Sequence, residues 1–332
     1  MIPIAPHISA FLRERLPMER QASEHTCNSY AYAFQLLFEF ASKKLKVPPS
    51  ALNLEHIDAP LVLSFLQHLE SVRGNCAGSR NVRLAAIKSF MRFVEHRVPS
   101  ALDQIRHILA IPVKKTDTRL VAHLDVLEMQ AVLDAPDPTT RDGIRDRAML
   151  YLGFTAGLRV SEIVKLQLND LTWHSTPSIL VHGKGRRERA LPLCKESAEA
   201  IRAWLSLRGD ALVPELFLNA RGKQMTRSGF EYVLRKHVKA ASADCPSLVT
   251  KRVSPHVLRH TCAMITLQAT HDIRKVSLWL GHTSIQSTEI YTRADPTLKL
   301  ETIAAITPPM LRRGRFRPPD KLIAFLKRPT LC

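Results

Sequence analysis

Cysteine is sparse in this chain. There are six in 332 residues, Cys27, Cys76, Cys194, Cys245, Cys262 and Cys332, and no two form a C-x-x-C pair. That spacing excludes a zinc ribbon or a thioredoxin-like site and fits reduced thiols in a cytosol. Aromatic residues make up only 6% of the chain. No aromatic stacking motif of the RNA-recognition type is present, which argues against an RNA-binding protein. No run of about 18 apolar residues occurs, so no membrane span is expected. The longest apolar stretch, AMLYLGFTAGL, has the length of a core helix and contains two glycines. The start, MIPIAPHISAFLRERLP, lacks the basic residues and long apolar core of a signal peptide. No internal repeat is visible.

Acidic residues are also in deficit. Asp and Glu number 30 against 48 Lys and Arg, a formal net charge of +18. A polyanion relieves self-repulsion on that scale, so nucleic acid is the leading partner and an anionic membrane surface the second. The hydrophobic fraction of 45% is enough to bury at least one sizeable core. A charged fraction of 23% is not that of a disordered chain. The length suggests two domains.

Residues 1–110 read as all helix. TCNSYAYAFQLLFEFASKKL carries Tyr30, Phe34, Leu37 and Phe40 at helical spacing, LVLSFLQHLESV is a second helix and SRNVRLAAIKSFMRFVEHR a third. Prolines 48, 49, 60 and 99 punctuate them. On the third helix an apolar stripe is expected at Val82, Ala86, Phe90 and Phe93. The opposite face carries Arg80, Arg83, Lys88 and Arg92, either solvated or laid on phosphates. A linker is expected over residues 111–122, where proline and mixed charge replace the helical period. The second domain, 123–306, opens with Asp125 as N-cap and Glu128 three residues later, a capping box. A long helix then ends at Gly157, and LRVSEIVKL forms a short one. SILVHGKGRRERALPL is the one clear β element, a hairpin turning at Gly183-Lys184-Gly185. Helices resume through SAEAIRAWLSLRG and SGFEYVLRKHVKAAS. Residues 307–332 read as a basic, proline-rich tail with one short amphipathic piece, KLIAFLK. The fold class is therefore mainly α with a small antiparallel β-sheet.

The stretch SPHVLRHTCA places His256, Arg259 and His260 on one face of a helix that Ser254 and Pro255 begin. A zinc helix would need a glutamate after the first histidine, where Val257 stands, and Arg259 would repel a cation. An anion clamp suits His256 and Arg259 better, because the amides of a helix N-terminus also favour negative charge. His260 is read as a satisfied core histidine. Downstream, DIRKVSLWL ends at Gly281, so His282 is held at a helix end. Thr283 and Gln286 suggest a capping box for a short helix carrying Tyr291, a packing residue or, beside phosphate-binding donors, a nucleophile. Arg159 follows a helix end, with Glu162 three residues on to orient it. Lys184 sits at the hairpin tip between two glycines that leave its ammonium free to reach. Arg186, Arg187 and Arg189 add charge nearby.

Taken in order, AGLRVSEIVKLQLNDL, HGKGRRERALPL, HVLRHTCA and LGHTSIQSTEIYTR resemble the tyrosine site-specific recombinases, the phage-integrase family. The likeness covers about residues 120–305, and more loosely the N-terminal helices, which are similar to that family's core-binding domain. It implies a helical core-binding domain and an α+β catalytic domain closing as a clamp on duplex DNA. It implies that Arg159, Lys184, His256, Arg259, His282 and Tyr291 are catalytic. Tyr291 would attack a phosphodiester to give a 3′-phosphotyrosine and a free 5′-hydroxyl. Arg159 and Arg259 would bind the non-bridging oxygens, where a guanidinium fork matches two oxygens and stays charged. Lys184 would protonate the leaving oxygen. His256 would bind the phosphate or take the tyrosine proton, His282 would support the phosphate, and Glu162 would stand behind them. No cofactor, metal or ATP is implied. The expected DNA contacts are Arg80, Arg83, Lys88, Arg186 and Arg187. The segment 296–306, with Leu298, Leu300, Ile303 and Ile306 apolar, would join protomers into a homo- or hetero-tetramer, with partner recombinases. The setting implied is a DNA-associated cytoplasmic enzyme of the integrase or mobile-element type. A type IB topoisomerase uses similar chemistry on one duplex. A non-catalytic DNA-binding protein would have no need of Tyr291.

Overall fold

The structure, a computed structural model, describes residues 1–116, 120–183, 187–209, 213–282 and 284–295. Lys184, Arg186, Thr283, the segment 296–306 and the 307–332 tail lie outside the described residues. The chain divides into two compact units, Met1–Thr118 and Arg119–Cys332.

The first unit is helical among its described residues. α1 (Ile4–Ala10) runs on into a wider-turn segment, Phe11–Glu19. α2 (Glu24–Leu45) starts where the Ser23 side chain accepts from the Thr26 amide. α3 (Ala59–Ser71) is capped by Asp58, which accepts from the Leu61 amide at 2.8 Å. α4 (Ala77–Glu95) and α5 (Leu102–Ala110) complete it. Four aromatic side chains meet at the centre. The Phe11 ring lies 6.0 Å from Phe34, 5.5 Å from Phe90 and 5.5 Å from Phe93, edge-on or tilted to each. Such geometry adds to the burial of large rings.

The structure corrects the expected faces of α4. Its buried side holds Arg80, Leu84, Ile87, Met91 and Val94, spaced three and four apart. Val82 is 48% exposed rather than part of the stripe. It lies two residues from Leu84, about 200° further round the helix. Ala86, Phe90 and Phe93 are buried as expected. Arg80, only 4% exposed, is not on a solvated basic face. Its guanidinium donates to Asn81 and to the Pro112 carbonyl, with Glu70 3.9 Å away. Arg83 donates to the Ser29 carbonyl and covers the Tyr32 ring, and Lys88 donates to the Ile111 carbonyl. Only Arg92 of the four is exposed. These cations fasten α4 to its own unit, including the start of the expected linker. There Ile111 is buried, and Asn81 exchanges hydrogen bonds with the Lys114 backbone at 2.8 and 3.1 Å.

The second unit is built around α7 (Arg141–Thr155), whose residues Ala148, Met149, Leu150 and Leu152 are fully buried. α6 (Val126–Asp134) precedes it with the capping box in place: Asp125 accepts from the Glu128 amide at 2.8 Å, and Glu128 from the Asp125 amide at 2.9 Å. α8 (Val160–Ile163) follows. The hairpin is β2 (Ser178–His182) and β3 (Glu188–Pro192), antiparallel with Ile179 opposite Leu191 and His182 opposite Glu188. A two-residue strand absent from the sequence reading, β1 (Leu171–Thr172), pairs antiparallel with β2 to give the order β1-β2-β3. α9 (Lys195–Arg208) and α10 (Arg227–Ala241) pack on this core. A buried charge cluster ties α7 to α10, with Asp146 held by Arg145 at 2.7 Å and by His237 at 2.9 Å. α11 (Pro255–Thr270), α12 (Ile273–Leu280) and α13 (Glu289–Ala294) end the described fold. No helix among the described residues is long and apolar enough to cross a membrane.

Phe11→Ala should cost about 3–5 kcal/mol of first-unit stability by opening a cavity among the four rings. Denaturant unfolding followed by calorimetry checks this; a loss below about 1 kcal/mol would mean the cluster is not a packed core.

Candidate phosphate-binding site

Two helix ends and one guanidinium set the frame. Gly157 follows α7 at φ 56° and Gly281 follows α12 at φ 63°, in the left-handed region that glycine tolerates. Neither has room for a side chain: a Cβ on Gly157 would fall 2.6 Å from Leu280, and one on Gly281 would fall 2.9 Å from Arg189. Arg259, on α11, is 6% exposed and donates to the carbonyls of Gly157 and Leu280 (2.7 Å to the latter). Carbonyls at helix C-termini lack helical partners and carry the negative end of the dipole, so a guanidinium suits both. Burial, then the charge of Arg159, lowers the Arg259 pKa to about 10, which leaves it charged at neutral pH.

Glu162, in α8 and 6% exposed, organises the other arginines. Its carboxylate accepts from the Arg159 amide at 3.0 Å, the Arg159 side chain at 2.8 Å and Arg189 at 2.9 Å. Burial pushes its pKa up, but the hydrogen bond and charge of Arg189, then the bonds from Arg159, hold it below the usual carboxylate range. Arg189 alternates with Leu191 on the inward face of β3, a period-two signal readable in ERALP. A cavity of about 470 Å³ is lined by Arg159, Arg187, Arg189, Arg274 and His282, with Glu188 the acidic member of its wall. Arg274, on α12, is a cation the sequence reading passed over. Its place follows from how α12 packs and not from a motif.

The remaining candidates lie on α11 and beyond α12. Ser254 is the N-cap residue of α11, but its side chain makes no capping bond. His256 is exposed on the first turn, its ring centre 6.5 Å from that of His260. His282 is held through Nδ1 on the Thr288 hydroxyl at 2.8 Å. Its ring lies 14° from the plane of Tyr291, with centroids 6.3 Å apart. The turn before α13 is capped by Ser284, which accepts from the Gln286 amide. Tyr291 is 1% exposed, and its hydroxyl is 3.0 Å from Nδ1 of His260. Burial raises the phenol pKa to about 12, against the charges of Arg259 and Arg159. Burial also lowers His260 to about 4, helped by the charges of His256, Arg259 and His123. His282 falls to about 4 for the same reason, then from the charges of Arg259, Arg159 and Arg189. The structure thus gathers Arg159, Glu162, Arg259, His282 and Tyr291 in one region of the second unit, with Arg187 on the cavity wall. Arg80, Arg83 and Lys88 belong to the other unit.

The chain was compared with known proteins. Residues 122–297 match the model of the phage integrase family, and residues 8–97 match its N-terminal SAM-like domain. The candidate integrase/recombinase y4rC of Sinorhizobium fredii is 44% identical over 97% of both chains. The tyrosine recombinase XerC of Pelobacter propionicus is 33% identical over 88% of this chain and 92% of that protein. A crystal structure of the XerH site-specific recombinase bound to a palindromic difH substrate, a post-cleavage complex, superposes with a TM-score of 0.67. At 24% identity it covers 90% of this chain and 84% of that one, which supports the shared fold.

Both histidines resist protonation in the folded protein but not in the unfolded chain. The second unit should therefore lose stability as pH falls from about 6.5, where unfolded histidine takes up a proton, to about 4. Melting temperature against pH reads this. The His260→Asn, His282→Gln double variant should give a flatter curve over that window; an unchanged slope would mean that neither imidazole is held neutral.

Proposed function

The chain belongs to the phage integrase family, as a tyrosine recombinase of the site-specific type, and on that footing we propose that it cleaves and rejoins duplex DNA through a 3′-phosphotyrosine on Tyr291. The observation that carries this reading is one buried carboxylate, Glu162, bonding two guanidiniums, Arg159 and Arg189, at the wall of an arginine-lined cavity of about 470 Å³, with Arg259 close by. Arg159 and Arg259 neutralise the non-bridging oxygens as the phenol oxygen attacks phosphorus. The phosphorus–5′-oxygen bond breaks, and Lys184 gives the leaving oxygen its proton. His256 takes the phenol proton as the oxygen attacks, His282 hydrogen-bonds the phosphate, and Arg187 and Arg186 extend the basic surface along the backbone. The phosphotyrosine keeps the bond energy, so a 5′-hydroxyl from another strand reverses the step and exchanges strands without ATP. Charge stabilisation comes from side chains, so no divalent metal takes part.

In this reading the first unit, to about residue 110, is the core-binding domain and residues 123–306 are the catalytic one. The segment 296–306 joins copies of the chain, or a partner recombinase, on DNA. The proposed role is of the integrase or mobile-element type, a reading supported by 44% identity to the integrase/recombinase y4rC over 97% of both chains. Arg80, Arg83 and Lys88 bond carbonyls of the first unit, and the exposed Arg92 of the same helix is added to the proposed DNA contacts.

Covalent trapping on labelled, nicked duplexes from the DNA flanking the gene tests the reaction. Wild type should leave a denaturation-resistant adduct, unaffected by excess EDTA, that Tyr291→Phe abolishes while binding stays within about twofold. An adduct that persists in Tyr291→Phe would refute the nucleophile. Loss on chelation would refute the metal-free mechanism.

A further inference from the structure

The family resemblance offers His256 for the tyrosine proton, and the structure puts the phenol on His260, which the sequence reading left in the core. His260 lies one turn along α11 from His256 and contacts Tyr291 twice, through the 3.0 Å hydrogen bond and an edge-on ring contact at 5.6 Å. Among the described residues the phenol has no other hydrogen-bond partner. An imidazole kept neutral by its surroundings has a lone pair on one nitrogen. A buried hydroxyl needs an acceptor, so the phenol donates and Nδ1 accepts, with the ring proton on Nε2. Tyr291 packs at the edge of a small apolar cluster with Cys262, Met264, Leu267, Val276 and Leu280. It is absent from the wall of the arginine-lined cavity, which His282 reaches. With 1% of its surface exposed, the phenol is out of reach of a phosphate on a duplex.

We propose that His260 is a positioning residue for the nucleophile: its Nδ1 holds the Tyr291 phenol in a buried resting site, and that bond must open before the phenol reaches DNA. The proposal rests on Tyr291 being the nucleophile. A histidine acting instead as proton acceptor would be indispensable, whereas a holding residue needs only a lone pair in the right place. Asparagine separates the two roles, because its Oδ1 takes the place of Nδ1 and accepts a hydrogen bond but cannot take up the proton.

The test is nitration of the full-length protein by tetranitromethane without DNA, with the modified tyrosines identified by peptide mass spectrometry. Tyr151, 9% exposed on α7, is the internal reference for an intact fold, because unfolding would expose it. His260→Leu should raise the rate at Tyr291 by roughly fivefold to tenfold, the effect of losing one ordinary hydrogen bond, and leave Tyr151 protected. His260→Asn should stay near the wild-type rate. In the trapping assay His260→Leu should form adduct at least as fast as wild type, and His260→Asn should remain active. An unchanged Tyr291 rate in His260→Leu would overturn the holding role. Loss of adduct in both variants, with Tyr151 still protected, would overturn it in favour of a proton acceptor. If wild type itself forms no adduct, the nucleophile reading fails, and the nitration arm still decides where the phenol is held.

Discussion

Two guanidiniums, Arg159 and Arg189, share one buried carboxylate, and a third, Arg259, lies close enough to feel its charge. Glu162 offsets one unit of charge among the three, so positive charge is left over where partial burial weakens screening. In the proposed function a phosphate turns that excess into binding energy and transition-state stabilisation. Burial is the main reason that His260 and His282 are neutral, and the charge of Arg259 adds to it, so both rings act as hydrogen-bonding groups and not as further cations.

The frame that holds the charges is made of helix ends. Arg259 bonds the last carbonyl of α12 and the Gly157 carbonyl just past α7, and the two glycines at those ends let the chains come close enough for one side chain to span them. Arg159 precedes α8 and His282 follows α12, while Arg189 enters from β3 and is held by Glu162. Arg259 is fixed at element ends whose backbone needs a partner in any case. A preorganised site of this kind pays little reorganisation when charge develops on a substrate.

Much of this was readable in the sequence because it rests on local rules. Asp125 with Glu128, and Gly157 and Gly281 past their helices, are signals of a few residues, and the structure realises each of them. The hairpin was visible in its alternation, and Arg159 with Glu162 in their spacing of three. What failed depended on rotation or on distant packing. Arg80 carries a charge but sits on the face of Leu84 and Ile87, and only the full turn of α4 reveals it. Ser254 has the right identity and place for a cap but makes no capping bond. The strand at Leu171 is too short to carry a period. His260 read as a satisfied core histidine and is half-buried and bonded, but its partner, Tyr291, lies 31 residues away, a contact no local pattern encodes.

The central claim is that Arg159 serves by its charge on a phosphate, and a substrate with that charge removed tests it most directly. Adduct formation would be measured on the trapped duplex with the scissile phosphate replaced by a neutral methylphosphonate. Arg159→Ala should fail on the natural phosphate and recover most of its activity on the neutral one. If Arg159→Ala stays inactive on both while its fold is intact, the arginine is not there to neutralise a phosphate, and the account is wrong.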